Sequence, residues 1–353
     1  MKSEFKIDGV TIGTGHAPYI VAEMSANHNG DIDTAFKIIA AAKECGANAI
    51  KLQTYTADTL TLKSSHPDFV IKGGLWNGST LYDLYDNAHT PWDWHKDLFA
   101  FARELGISIF SSPFDYTAVD LLEGLGAPAY KIASFEAIDL PLIEYAASTK
   151  KPLIISTGLC NFDEISEAVE AAQSAGCEEL IVLHCVSGYP APATDYNLNT
   201  ITDLYEQFGV PVGLSDHTLD NSAAIAAVSL GACFIEKHFT LDREAGGPDD
   251  SFSLEPEGLK SLGEMANTAF LALGKVNYST KSSEKNNLIF RRSLFVTCDM
   301  KKGETFSPQN VRSVRPGNGL PPKMLPDIFG KTAAKDISAN TPLSLDLISG
   351  PKA

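Results

Sequence analysis

Positive charge is scarce in this chain of 353 residues: 28 Lys and Arg stand against 44 Asp and Glu, a formal net charge of −16. A surplus of that size repels nucleic acids and anionic membranes, so neither is expected as a partner. A small anionic substrate is still allowed, because a few local cations decide its binding. Long apolar runs are missing as well. Nothing approaches the roughly 18 consecutive apolar residues of a membrane-spanning helix, and the opening MKSEFKIDGV has no apolar signal core. Cysteine is sparse: Cys45, Cys160, Cys177, Cys185, Cys233 and Cys298 are scattered and include no C-x-x-C pair. That spacing excludes the usual zinc and dithiol motifs and suits core thiols in a reducing compartment, so a cytoplasmic location is expected. What is plentiful is apolar residues, at 44%, enough for a sizeable core.

These apolar residues arrive in short runs separated by helix-length amphipathic segments. YIVAEM (19–24), AIKLQT (49–54), SIFSS (108–112), YKIA (130–133), LIIST (153–157), LIVLHC (180–185), VGL (212–214) and CFIEKH (233–238) read as strands. Segments such as DTAFKIIAAAKECG and FDEISEAVEAAQSAG have helical spacing and a closing Gly. Strands and helices in alternation predict a (β/α)8 TIM barrel over residues 1–277 rather than a doubly wound sheet. The connection 55–91 is long for a compact domain, which marks it as functional. Residues 278–290 are polar and aperiodic and read as a linker. Residues 291–353 carry short β-like runs and turn-rich pieces such as MKKGE and RPGNGLPP, so a small β-rich domain is expected.

The stretch IEKHFTLDREAGGPDDSFSL (235–254) shows an apolar strand ending on Glu236, Lys237 and His238. Unpaired charges at a buried strand end are costly, unless the strand opens on a polar cavity. The other strands end alike: on Glu23; Lys51 and Gln53; Ser111 and Ser112; Lys131, Ser134 and Glu136; Ser156 and Thr157; His184; Ser215, Asp216 and His217. Singly, such a Ser is a turn residue, such a His a structural hydrogen-bonding group, and such a Lys reaches to water. Coincidence at every strand end points instead to one rim at the C-terminal face, where barrels of this kind keep their active sites. Lys51, Lys131 and the Ser hydroxyls suit a phosphate and a carboxylate. His217 and His238, on adjacent strands, could share one divalent metal. Glu23 and Glu136 are candidates for proton transfer.

The motifs EMSANHNG (23–30), KLQTY (51–55), SSPFD (111–115), KIAS (131–134), STGL (156–159), HCVSGYP (184–190), GLSDHT (213–218), EKHFT (236–240) and GPDDSFS (247–253) resemble those of the sialic acid synthases. That family condenses phosphoenolpyruvate with an acylated amino sugar. The tail motifs RRSLFV (291–296), MKKGE (300–304) and VRPGNGLPP (314–322) resemble the antifreeze-like (SAF) domain that ends such chains. The resemblance implies a manganese-type ion on His217 and His238, with Mg²⁺ or Co²⁺ as alternatives. It implies phosphoenolpyruvate on Lys51, Ser112, Lys131, Ser134, Ser156 and Ser215, and sugar contacts or acid–base roles for Glu23, Gln53, Glu136, Tyr189 and Asp249. Ser187 stands where many sialic acid synthases have Asn, which alters a contact made there. The resemblance further implies a domain-swapped homodimer in which Arg315 enters the partner's sugar site.

The segment GGLWNGSTLYDLYDNAHTPWDWH (73–95) resembles the pseudaminic acid branch of the family. Its Trp76, Tyr82, Tyr85 and Trp92 would give an apolar wall suited to a 6-deoxy sugar, in which a methyl replaces a hydroxymethyl. N-acetylneuraminate and legionaminate synthases are the rival branches. A non-catalytic glycan- or ice-binding scaffold is the rival class, and it has no need of polar groups at every strand end.

Overall fold

The computed structural model describes residues 1–74 and 76–350. They divide into two compact units, residues 1–274 and residues from 275 onward. The first opens with a hairpin, β1 (Glu4–Ile7) and β2 (Val10–Gly13), which the apolar-run pattern does not reveal. Its signal is the Asp8-Gly9 pair between two short apolar alternations. Both residues have positive φ, 45° and 85°, the requirement of the tight turn whose twist matches a hairpin.

All eight expected strands follow: β3 (Tyr19–Glu23), β4 (Ala49–Thr54), β5 (Ser108–Pro113), β6 (Tyr130–Ile132), β7 (Leu153–Ser156), β8 (Leu180–Cys185), β9 (Val212–Asp216) and β10 (Phe234–His238). Each lies parallel to the next, and β10 pairs with both β9 and β3, closing the barrel. Helices connect them, several with starts fixed by side chains. Helix Phe162–Ser174, for example, begins in a capping box between Asn161 and Glu164, an arrangement worth about 1 kcal/mol.

Successive strand residues point to opposite faces, and in a closed barrel one face is the interior. Ile20, Ala22, Ile50, Leu52 and Ile235 face out, into the core shared with the helices. Tyr19, Val21, Ala49, Phe110, Ala129, Ile154, Leu183 and Phe234 form a second cluster, the barrel interior. Phe5, Ile7 and Ile12 of the hairpin belong to it too. The hairpin is tied to the end where the strands begin, since Ser108, first residue of β5, donates to Asp8 at 2.6 Å. Gly213 is required inside the barrel: a Cβ there would lie 2.4 Å from the Phe234 carbonyl and 2.6 Å from Leu183.

The long connection after β4 is built, not loose. It contains helices Ala57–Leu60 and Leu81–Ala88 and a β-bridge between Val70 and Thr80. The second unit pairs β11 (Ser293–Val296) with β12 (Val311–Val314), and β13 (Thr332–Ala333) with β14 (Ile348–Ser349). Leu294, Val296, Met300, Phe306, Val311, Ile328 and Ile337 are among its core residues. The stretch expected as a linker carries a 3-10 turn run, Ser282–Phe290, with every residue exposed. No helix among the described residues is long and apolar enough to cross a membrane.

Candidate active site

Counting in twos from the interior apolar residues explains where the charges go. Val21 leads to Glu23, Ala49 to Lys51 and Gln53, Phe110 to Ser112, Ala129 to Lys131, Ile154 to Ser156, and Phe234 to Glu236 and His238. The four charged groups among them meet at the mouth. Lys51 Nζ stands 2.7 Å from Glu23 and 3.6 Å from Glu236, and Lys131 Nζ stands 3.7 Å from Glu236. The Lys51–Glu23 contact is an ion pair by distance, although its angle makes no directed hydrogen bond. Burial pushes the Glu23 carboxyl up from its ordinary value. Burial would do the same to Glu236, but Lys131 and Lys51 hold it below. Burial opposes charge on Lys51, yet Glu23 and Glu236 keep it raised. Burial lowers Lys131, with Glu236 opposing the shift. Two lysines thus stand beside two carboxylates in one buried cluster, and an entering anion would meet both ammonium groups.

Hydroxyls surround this cluster. Ser112 accepts from Lys51 at 3.3 Å, Ser215 donates to Glu236 at 3.2 Å, and Ser134 accepts from the Gly158 N–H at 3.1 Å. A Cβ on Gly158 would fall 2.2 Å from Ser187 Oγ and 2.8 Å from Ser134 Oγ. The missing side chain therefore lets both hydroxyls close in on one backbone turn. Ser156 and Ser187 hold buried oxygens with no hydrogen-bond partner. Unspent short donors beside two ammonium groups are what a phosphate or carboxylate needs.

The His217 and His238 rings lie 5.5 Å apart, centroid to centroid. His217 Nδ1 faces the Val186 carbonyl at 2.8 Å. A carbonyl only accepts, so Nδ1 carries a hydrogen and Nε2 is the nitrogen left for a ligand. His238 Nδ1 is buried without a hydrogen-bond partner, the nearest carboxylate oxygen being that of Asp249 at 3.8 Å. Burial, with His217 and the lysines nearby, holds His238 well below its ordinary value and so neutral. Among the described residues no cluster of three or more His, Cys, Asp or Glu is arranged around a metal. Burial would lower His217, but Cys185 and the Val186 carbonyl raise it above its ordinary value. With that proton given up, the two imidazoles fit a divalent ion whose other positions go to water and substrate.

A cavity of about 350 Å³ adjoins His238. One side is polar, with Ser25, Gln53, Glu136, His238 and Asp249. Gln53 donates to Glu23 and to Ser25, both at 2.9 Å, and Ser25 donates to Asp249. Burial pushes Glu136 up to about 7, against its own backbone N–H and Lys131. The other side is apolar, with Leu60, Ile71, Trp76, Leu81, Leu84 and Tyr85 from the long connection. Tyr189 also lines the cavity, and its ring packs 4.4 Å from that of His217.

Not every expected residue reaches this mouth. Lys237 and Asp216 fall on the odd count and face away from the barrel interior, as does His184, which bonds the Tyr196 carbonyl. Lys237 Nζ meets Asp216 at 2.7 Å and donates at 2.8 Å to each of the Thr218 and Asp220 carbonyls, pinning the turn after His217. Of the four wall aromatics, Trp76 and Tyr85 line the cavity. Tyr82 turns to Asp58 and Lys63, and the Trp92 indole donates to the Tyr55 carbonyl, so both brace the long connection itself. Arg315 lies in the second unit, its guanidinium 5.9 Å from the Phe290 ring. Sequence reasoning places Glu236 on the rim without naming its part there, and gives no role to Gly158, Ser25 or the aliphatic wall. Glu236 is findable by its even count from Phe234; the wall residues have no signal, being apolar side chains in an apolar-rich chain.

A TIM barrel whose mouth gathers two buried lysines and several hydroxyls beside a cavity with polar and apolar lining suits an enzyme that acts on a small anion and a second substrate. Known proteins place it further. The NeuB family model matches residues 38–278, and the SAF domain model matches residues 291–349. The chain belongs to the NeuB family, the sialic acid synthase transferases that form nonulosonic acids from phosphoenolpyruvate. It is 46% identical to a pseudaminic acid synthase of Helicobacter pylori, over 93% of this chain and 97% of that one. It is 37% identical to an N,N'-diacetyllegionaminic acid synthase of Legionella pneumophila, over 97% and 98%. Among solved structures, the N-acetylneuraminic acid synthetase of Leptospira borgpetersenii superposes with a TM-score of 0.72 at 30% identity, over 81% of this chain and 95% of that one. The scaffold reading falls with this membership.

Lys237→Met would leave the buried Asp216 carboxylate unpaired. We predict a loss of roughly 3–5 kcal/mol in denaturant unfolding, with much of it regained in a Lys237→Met, Asp216→Leu double variant. A single variant as stable as the parent would show that this pair does not hold the turn.

Proposed function

We propose that the protein is the pseudaminic acid synthase of its family, joining phosphoenolpyruvate to a 2,4-diacetamido-2,4,6-trideoxy hexose. The observation that carries this reading is the apolar face of the cavity, Leu60, Ile71, Leu81 and Leu84 with two aromatics, which suits a methyl where other sugars carry a hydroxymethyl. The likeness to the Helicobacter pylori enzyme supports it. The six free thiols support action in the cytoplasm.

Lys51, Lys131 and the hydroxyls of Ser112, Ser134, Ser156, Ser187 and Ser215 hold the phosphate and carboxylate of phosphoenolpyruvate. Glu23, oriented by Gln53, faces the sugar hydroxyls, with Asp249 and Tyr189 bounding that side. A divalent ion on His217 and His238, manganese in the first instance, would supply polarisation of the open-chain aldehyde. The double-bond electrons of phosphoenolpyruvate form a bond from carbon 3 to the aldehyde carbon, whose oxygen takes up a proton to become a hydroxyl, and water adds at the electron-poor carbon 2. Glu136 takes a proton from that water. The tetrahedral carbon 2 then becomes a ketone as its bond to the bridging oxygen breaks, releasing inorganic phosphate.

Phosphate release with phosphoenolpyruvate and a panel of amino sugars tests the substrate. The trideoxy sugar should exceed N-acetylmannosamine by roughly 10–200-fold in kcat/KM, the worth of a methyl-sized misfit. Chelation should abolish turnover and Mn²⁺ restore it. Equal or better use of N-acetylmannosamine would move the protein to a rival branch, and full activity in chelator would remove the metal.

The raised carboxyl of Glu136 makes two linked predictions. As a base it works ionised, so kcat/KM should fall as pH drops through about 7. Its folded value lies above its ordinary 4.5, so the folded state binds this proton more tightly, and stability declines as pH rises from 4.5 through 7. At about 1.4 kcal/mol per unit, Glu136→Gln should gain up to about 3 kcal/mol at pH 8 and nothing at pH 4. Identical pH profiles for parent and variant would contradict the assignment.

We also propose that Arg315 completes the sugar site of a partner subunit in a domain-swapped homodimer. The exposed run Ser282–Phe290 near the start of the second unit supports such reach, and a site that binds anions gains from a cover against water. Mixing an Arg315→Ala chain with a Glu136→Ala chain should recover activity, because some heterodimers hold one intact site. Shown subunit exchange with no recovery would defeat this arrangement.

A further inference from the structure

Trp76 lines the cavity beside its aliphatic residues. Its indole nitrogen is buried and has no acceptor. Among the described residues it is the one such side-chain atom that can only donate: the others are carboxylate or amide oxygens, hydroxyls and a histidine nitrogen. A buried donor without an acceptor is unfavourable, so an occupant of the cavity that supplies one gains from it. The neighbours narrow what that occupant is. Leu60, Ile71, Leu81 and Leu84 share the cavity wall with Trp76, and an ionised acceptor there would lose its hydration without a cation to replace it. A hydroxyl can accept, but it brings a hydrogen of its own to satisfy. An N-acetyl group offers a carbonyl oxygen for the indole N–H and a methyl for the leucines. The Trp76 ring also lies 6.4 Å from that of Tyr189, which packs against His217, so the contact belongs to the compartment of the reacting sugar.

We propose that Trp76 sets specificity by donating its indole N–H to an acyl carbonyl of the amino sugar. The proposal rests on the reading of this cavity as the sugar site. Because the acyl group takes no part in bond making, the hydrogen bond stabilises ground state and transition state alike and shows in KM.

The test is steady-state kinetics of Trp76→Phe, with Trp76→Tyr as a second variant and thermal melting as the check on folding. KM for the diacetamido sugar should rise roughly threefold to tenfold, the worth of one hydrogen bond, while kcat and the KM for phosphoenolpyruvate hold. The parent should lose the same factor on one of the two singly de-acylated sugars, and the variants should no longer distinguish that sugar from the diacetamido one. Unchanged KM in a folded Trp76→Phe, or losses that simply add for both de-acylated sugars, would overturn the proposal. If the parent prefers N-acetylmannosamine, the pseudaminic reading fails, and the Trp76 contact is measured in the same way on that sugar's single acetamido group. If the parent prefers the trideoxy sugar and the variants match it, the Trp76 proposal alone fails.

Discussion

The active site depends on one constraint: along a strand of a closed barrel, side chains alternate strictly between interior and exterior. Phe234 faces in, so Glu236 and His238 must face in and Lys237 must face out. The same count places Lys51 and Gln53 above Ala49, and Lys131 above Ala129. A shift of one residue in any strand would send a charge into the apolar layer around the barrel and an aliphatic side chain into the mouth. The apolar interior below the site therefore acts as its register. The packed hairpin residues Phe5, Ile7 and Ile12 help to keep that interior filled.

The price of the site is four buried charges and several buried donors without partners. Within the mouth each carboxylate has a lysine and each lysine a carboxylate, which limits the desolvation cost without removing it. The outward-facing positions carry a different load. Lys237 and Asp216 are paired across β10 and β9, and their network holds the turn that follows His217. Charged residues three in a row thus split between chemistry and scaffolding, and only their parity separates the two roles.

That parity also explains how much is legible in the sequence. The eight strands and their order can be read from apolar runs, because buried parallel strands are apolar on both faces. The rim can be read because charged and hydroxyl side chains at the end of every buried strand would be left desolvated unless those ends opened on a polar cavity. Lys237, His184 and Asp216 cannot be sorted from Glu236 and His238 by residue type; sorting them takes a count from a known interior residue, which the chain alone does not mark. The β1–β2 hairpin escapes a search for long apolar runs, although Asp8-Gly9 announces it. The aliphatic wall lies in the long connection after β4, where no period links Leu60 to Leu81, so only the folded chain brings them together.

The central claim is that the two halves of this mouth make a carbon–carbon bond and release phosphate by breaking the carbon–oxygen bond of phosphoenolpyruvate. Phosphoenolpyruvate labelled with ¹⁸O at the bridging oxygen tests it directly, by mass spectrometry of both products. The label should leave entirely with inorganic phosphate, and the new keto oxygen should come from solvent water. Label retained at carbon 2 of the sugar acid would mean cleavage at phosphorus, and would contradict the placement of Glu136 and its water at that carbon.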